Sequence, residues 1–177
     1  MRGLLPIACA LAWLAADAGA QAQSSPRPAG VAATRADLDR ELRYQWGRSL
    51  DPRSVKAMSG DVTCDGAVDQ VSGHVDSEAP DGPFYRVTVV SNDGSGARSD
   101  VVSFEFGAGR EQLCGDGKAA PLPSVALESR KPEEAEELVG QPACGLAIRI
   151  EDGRCDAIRL FWLLDGTPEE RFGLSRN

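Results

Sequence analysis

Apolar residues recur at steps of four from Leu38 through Leu42 and Trp46 to Leu50, just ahead of Pro52. That spacing aligns them on one face of an α-helix. Thr34 stands at the N-cap position, and Asp37, three residues on, makes an acidic relative of the capping box. The pattern predicts an amphipathic helix that packs on the domain's own sheet; the alternative use of such a stripe is to bind a partner.

From residue 60 onward the period changes. Short β-rich runs at 70–75, 84–91, 100–106, 124–128, 146–150 and 157–163 are divided by turns. Asp-Gly recurs at residues 65, 81, 93, 116, 152 and 165, and this dipeptide closes hairpins because Gly accepts positive φ and Asp bonds its own backbone. A three-residue turn at 152–154 would set Ile150 against Asp156, Ile148 against Ile158, Leu146 against Leu160 and Cys144 against Trp162, with the apolar residues on one face. Between the fourth and fifth runs, residues 132–140 read as a short acidic helix opened by Pro132 and closed by Gly140. Its glutamates make a solvated first turn, with a cation site as the alternative. The expected fold class is α+β, mainly β: an antiparallel sheet of about five to seven strands in hairpins, with an N-terminal amphipathic helix and a short acidic one.

Residues 1–20 read as a secretory signal peptide: Arg2 opens it, an apolar stretch covers 4–16, and Ala18-Gly19-Ala20 forms a small-residue cleavage site. A membrane anchor would need about 20 apolar residues, whereas this stretch contains Pro6 and meets Asp17. A lipid anchor would need its cysteine just after the apolar stretch, and Cys9 lies inside it. Residues 21–33, rich in Ser, Pro, Ala and Gln, read as a flexible linker. A single β-rich domain then covers 34–177.

The cysteines beyond the leader are Cys64, Cys114, Cys144 and Cys155, an even count that in an exported chain points to two disulfides. Cys144 and Cys155 flank the predicted hairpin, which separates them beyond the roughly 7 Å that a bridge can span. Both pairings that cross between distant segments stay open. A zinc knuckle is excluded by the cysteine spacing and by the presence of one histidine, His74.

Charge narrows the partners. With 27 acidic against 19 basic residues the net charge is −8, which argues against nucleic acid and anionic membranes and suits a cation or a basic protein.

The stretch GDVTCDGAVDQV at 60–71 carries the strongest chemical signal. It offers carboxylates at Asp61, Asp65 and Asp69, a hydroxyl at Thr63 and a backbone carbonyl at Ala67, all at alternate positions. Gly66 can turn the chain, while Val68 and Val71 are placed to anchor the loop in the core. Ca²⁺ takes six to eight oxygens, and a tight glycine-turned loop can bring them to one point. The stretch resembles the calcium loop of FG-GAP or VCBS-type repeats of integrin-like propeller blades, in which D-x-[ND]-x-D-G-x-x-D precedes a strand. The resemblance covers about a dozen residues. It implies metal ligands at Asp61, Thr63, Asp65, Ala67 through its carbonyl, and Asp69, with Ca²⁺ affinity of about 10⁻⁴–10⁻³ M. Two departures stand out: Thr63 replaces Asn or Asp, and Cys64 takes a place often held by glycine, where a disulfide can pin the loop. One such loop cannot close a propeller. The stretch also resembles dockerin or EF-hand loops, but the twelfth position, a bidentate Glu there, is Ser72 here. The alternative is an Asx-rich turn whose acids bond backbone amides.

No catalytic set is legible. His74, the only base for a triad, sits beside Gly73 in a predicted strand, and bridged cysteines are not nucleophiles. The first reading is therefore a small periplasmic or secreted, disulfide-stabilised binding or structural module, not an enzyme, with a structural Ca²⁺ loop. The rivals are a metal-independent periplasmic inhibitor or partner of a basic enzyme, and a carboxylate-based hydrolase.

Overall fold

The computed structural model describes residues 30–47, 50–51, 55–107, 109, 111–118, 122–167 and 170–176. The predicted signal peptide and most of the predicted linker lie outside them. Two antiparallel four-stranded sheets face each other. The first runs β1 (Ala57–Gly60), β2 (Asp69–Asp76), β3 (Phe84–Asn92) and β4 (Ala97–Glu105); the second runs β5 (Ser124–Ser129), β6 (Leu146–Glu151), β7 (Ile158–Trp162) and β8 (Phe172–Arg176). Each keeps chain order, with an Asp-Gly in five of the six connections and a helix at residues 132–139 in the sixth, between β5 and β6.

Alternation within each strand builds four layers. Val71, Tyr85, Val87, Val89 and Phe104 of the first sheet meet Val125, Ile148, Ile150, Ile158 and Leu160 of the second in one buried core. Helix α1 (Arg35–Trp46) lays Leu38 and Leu42 on the other face of the first sheet, against Val90. Helix α2 (Pro132–Val139) lays Ala135 and Val139 on the far face of the second, against Ala147 and Phe161. The stripe at steps of four is thus spent on the domain's own sheet. Thr34 and Asp37 close the capping box, and Gly140 ends α2 in the left-handed region. Among the described residues no helix is long and apolar enough to cross a membrane.

The fold is mainly β as expected, with eight strands rather than five to seven. The two extra strands carry weak local signals. Strand β1 is only Ala-Met-Ser-Gly, and β8 interrupts Phe172 and Leu174 with Gly173. Pairing to β2 and β7 makes them strands. The register of the β6–β7 hairpin also differs from the expected one: Ile148 pairs with Leu160 and Ile150 with Ile158, a shift of two. Asp152 accepts bonds from the amides of Arg154 and Cys155, so the turn is longer than three residues. A shift of two keeps every side chain on its face. Beyond Gly145 the expected alignment returns, with the Cys144 amide donating to the Trp162 carbonyl at 2.8 Å.

The disulfides are Cys64–Cys144 and Cys114–Cys155, with Cα separations of 5.7 and 5.9 Å. This is one of the two crossing arrangements left open by spacing. The first ties the β1–β2 loop to the segment just before β6, and the second ties the connection between the sheets to the β6–β7 turn. Such bridges fit an oxidising compartment. The last residues of the expected linker are held in place: the Ala33 amide donates to the Val68 carbonyl at 2.7 Å, and Gln70 Nε2 donates to the Ala33 carbonyl at 3.1 Å.

Candidate functional site: the β1–β2 loop

Gly60 pairs with Asp69, so residues 61–68 form a loop joining two adjacent strands at one end of the sandwich. Three features hold it. Val62 is fully buried in the central core, Cys64 is bridged to Cys144, and positive φ at Cys64 (54°) and Gly66 (85°) reverses the chain. Val71 anchors the following strand as expected, but Val68 does not: it is 43% exposed, and Val62 takes its place. Val68 falls on the open side of the turn, where its carbonyl meets Ala33.

The carboxylates fold back on the loop. Asp61 accepts from the amides of Asp65 and Gly66, each at 3.1 Å, and Asp65 accepts from the Ala67 amide at 2.8 Å. Asp69 Oδ2 accepts from the amides of Val62 (2.9 Å) and Thr63 (3.0 Å) and from the Thr63 hydroxyl (3.1 Å). These are Asx-type bonds, and they shape the loop. The five sequence-derived ligand positions Asp61, Thr63, Asp65, Ala67 and Asp69 are therefore gathered in one loop. Their three carboxylates, however, do not share a centre within 4.8 Å; among the described residues that closeness belongs to Cys114, Asp152 and Cys155. Both sulfurs of that trio are in the disulfide, so they are not thiolate ligands.

Asp152 and Asp69 make an instructive pair. Both are buried aspartates that accept three donors. Asp152 uses both oxygens, taking the Cys114 amide on Oδ2 and the Arg154 and Cys155 amides on Oδ1. Burial pushes its carboxyl up, but those amides and the nearby Arg176 outweigh it, and the net shift is downward. Asp69 is 1% exposed, crowds all three donors onto Oδ2, and leaves Oδ1 buried without a partner. Burial, reinforced by the charge of Asp65, raises its carboxyl to about 6 despite those donors. Asp69 lacks the positive neighbour that Asp152 has.

Sequence reasoning placed Asp69 in the loop but not in the interior. The signal was its phase: Asp69 shares parity with buried Val71 and belongs to β2, so its side chain faces between the sheets.

A second charged cluster was not anticipated. On the outer face of the second sheet, Glu128 receives Arg159 Nε at 3.0 Å and Arg130 Nη2, with Arg149 Nε 3.7 Å away. Arg149 and Arg159 sit directly opposite each other in register. The expected register separates those two arginines, so the cluster could not be seen from it.

His74 lies on β2 with its ring edge-on to Trp46 at 5.3 Å, while the Arg86 guanidinium stacks on Trp46 at 4.5 Å. Burial, with Arg86 adding to it and Asp76 opposing, lowers its imidazole below the ordinary value. No known protein family, curated protein or solved structure matches this chain.

Proposed function

We propose that this chain is an exported, non-catalytic binding module whose β1–β2 loop takes Ca²⁺ as a structural ion. The observation that carries the reading is Asp69 Oδ1, a carboxylate oxygen buried in the loop with no partner and a second acid beside it. A hard cation supplies the missing charge, and the donor set is all oxygen. Asp69 Oδ1 would be the first ligand. Asp65, Asp61 and the Thr63 hydroxyl would turn toward the ion from the bonds they now make within the loop, with the Ala67 carbonyl as the last donor of the motif. The Cys64–Cys144 bridge keeps the loop shaped before any ion arrives, and the packing of His74 against Trp46 and Arg86 supports a structural role for that histidine.

The test is thermal unfolding in Ca²⁺ and in chelator. At ten times Kd, binding to the folded state alone adds about 1.4 kcal/mol, or about 3–5 °C for a domain of this size. Asp65→Ala and Asp69→Asn should abolish that shift. Equal melting temperatures for the wild type with and without Ca²⁺ would reject the reading.

A second reading has its own support. Two neighbouring concavities, of about 540 and 430 Å³, share Phe84 and Glu105 and bring in Glu111, Asp81 and Asp116. Such a surface suits a basic protein partner. Capture of a cationic protein that weakens with salt and ignores chelator would favour it over the calcium reading.

A further inference from the structure

Carboxylates line three hollows of this acidic chain: Glu105 and Glu111 in one, Asp76 and Glu78 in a second, Asp81, Glu105 and Asp116, beside Lys118, in a third. A cavity of about 340 Å³ departs from that rule, because no Asp or Glu is found among its described lining residues. It opens where β1 stops short. Strand β1 pairs with residues 69–72 of β2 only, and beyond them Gly73, His74 and Val75 run on beside Val125 at the start of β5.

Its walls are apolar, with Leu50, Val75, Leu122 and Val125 among them. Its polar side chains are Lys56, His74, Tyr85 and Ser124. Lys56 is its cation and is exposed at the surface. His74 and Tyr85 add an imidazole whose protonation burial disfavours and a phenol whose ionisation burial opposes. The Tyr85 ring is buried in the inter-sheet core, and its hydroxyl reaches the cavity by crossing over Gly73. A Cβ at residue 73 would fall on that hydroxyl and come within 2.9 Å of Val125. Leu122, 52% exposed, is an apolar residue held at the surface beside this opening.

We infer that this cavity binds a small amphipathic anion, an aliphatic or aromatic body with one carboxylate, its apolar part against Leu50, Leu122 and Val125 and its carboxylate toward Lys56. The volume lies at the small end of ligand sites, which are typically about 300–1,000 Å³, largely apolar and fixed by a few polar groups. The hollow that holds Asp76 and Glu78 adjoins this cavity through Leu50, His74 and Val75, whereas Lys56 lines this cavity and not that hollow, so the carboxylate is placed at the Lys56 end, away from those acids.

The test uses octanoate and the uncharged 1-octanol with the intact chain, read by Trp46 fluorescence, since Trp46 contacts the cavity residue His74, and by calorimetry. Octanoate should bind saturably. Lys56→Gln should weaken octanoate about three- to fivefold, the size of one partly exposed charge contact, and leave 1-octanol unchanged. Leu122→Glu should weaken octanoate more strongly. Both positions are exposed, so both variants should keep the wild-type circular dichroism. Absence of saturable octanoate binding would overturn the inference, as would octanoate affinity unmoved by both substitutions or lost equally for 1-octanol in Lys56→Gln.

Discussion

Asp69→Ala should lower the unfolding free energy by about 3–4 kcal/mol in urea titrations, because it strips the acceptor from the Val62 amide, the Thr63 amide and the Thr63 hydroxyl at once. Asp69→Asn should fall within about 1 kcal/mol of wild type at pH 7, since an amide oxygen can take over the place of Oδ2. The same pair of variants separates geometry from charge. Burial raises the Asp69 carboxyl from its ordinary value of 3.8 to about 6 in the folded protein. The folded state therefore holds a proton that the unfolded state has already released across that window. Stability then declines as pH climbs from about 4 to about 6 and stays lower above it, with no such penalty below about pH 4. Asp69→Asn should flatten that slope. Saturating Ca²⁺ should flatten it too, by favouring the ionised carboxylate. A wild-type slope that persists unchanged in the Asn variant would show that Asp69 is not its source.

Glu128→Gln is expected to cost about 3 kcal/mol in the same assay. Arg159 is 6% exposed on its side chain, bonds Glu128 through Nε, and has Nη1 buried without a partner. Removing the carboxylate leaves that guanidinium uncompensated, with Arg149 directly across the ladder. Arg159 is the buried partner and Glu128 is half-buried, and stripping the carboxylate from a buried guanidinium costs far more than replacing both sides. The double variant Glu128→Leu with Arg159→Met should therefore recover most of the loss, and a double-variant cycle measures the coupling. The pH dependence has the opposite sign to that of Asp69. Burial pushes the Glu128 carboxyl up, but the bonds from Arg159 and Arg130 outweigh it and the folded value lies below the ordinary one. Its contribution is complete above the unfolded carboxyl value, about 4.3, and is lost as pH falls through the lowered one. Acid unfolding of Glu128→Gln should lack this component. Additive losses in the double variant would show that the two residues are not coupled.

How far these sites could be read from residues alone differs between them. The six strand runs, the capped start of the first helix and the acidic helix are present near their expected limits, because periodicity, caps and turn dipeptides act within a few residues. The first helix stops at Trp46, where Gly47 caps it, short of the Leu50 its stripe suggests. The disulfides were narrowed to two arrangements by the reach of a bridge, and Cys64–Cys144 with Cys114–Cys155 is the one formed. The metal-ligand candidates were found as a loop, yet Asp61 and Asp65 turn to amides and Asp69 goes inside. Oxygen donors at alternate positions specify that acids are close along the chain, not which atoms each one meets.

Glu128, Arg149 and Arg159 mark the other limit. Each stands on an outward position of its strand, as the neighbouring apolar residues Leu127, Ile148, Ile150, Ile158 and Leu160 indicate. That much follows from alternation along one strand. Which charges face one another depends on a two-residue register shift, which in turn depends on Asp152 binding its own turn and on the bridge from Cys155 to Cys114.

The amino-acid order alone was enough for element types, for the faces they bury and for a chain rich in acids with even cysteines, since all of these arise from short-range sterics and solvent exposure. Assembly settled the rest: the pairing of sheets back to back, the desolvation of Asp69, the meeting of three arginines on Glu128 and the apolar cavity beside Lys56. Those features come from burial and register between segments up to 80 residues apart. A carboxylate's energy is governed by the partners and water it has left after folding, and these are properties of the packed whole.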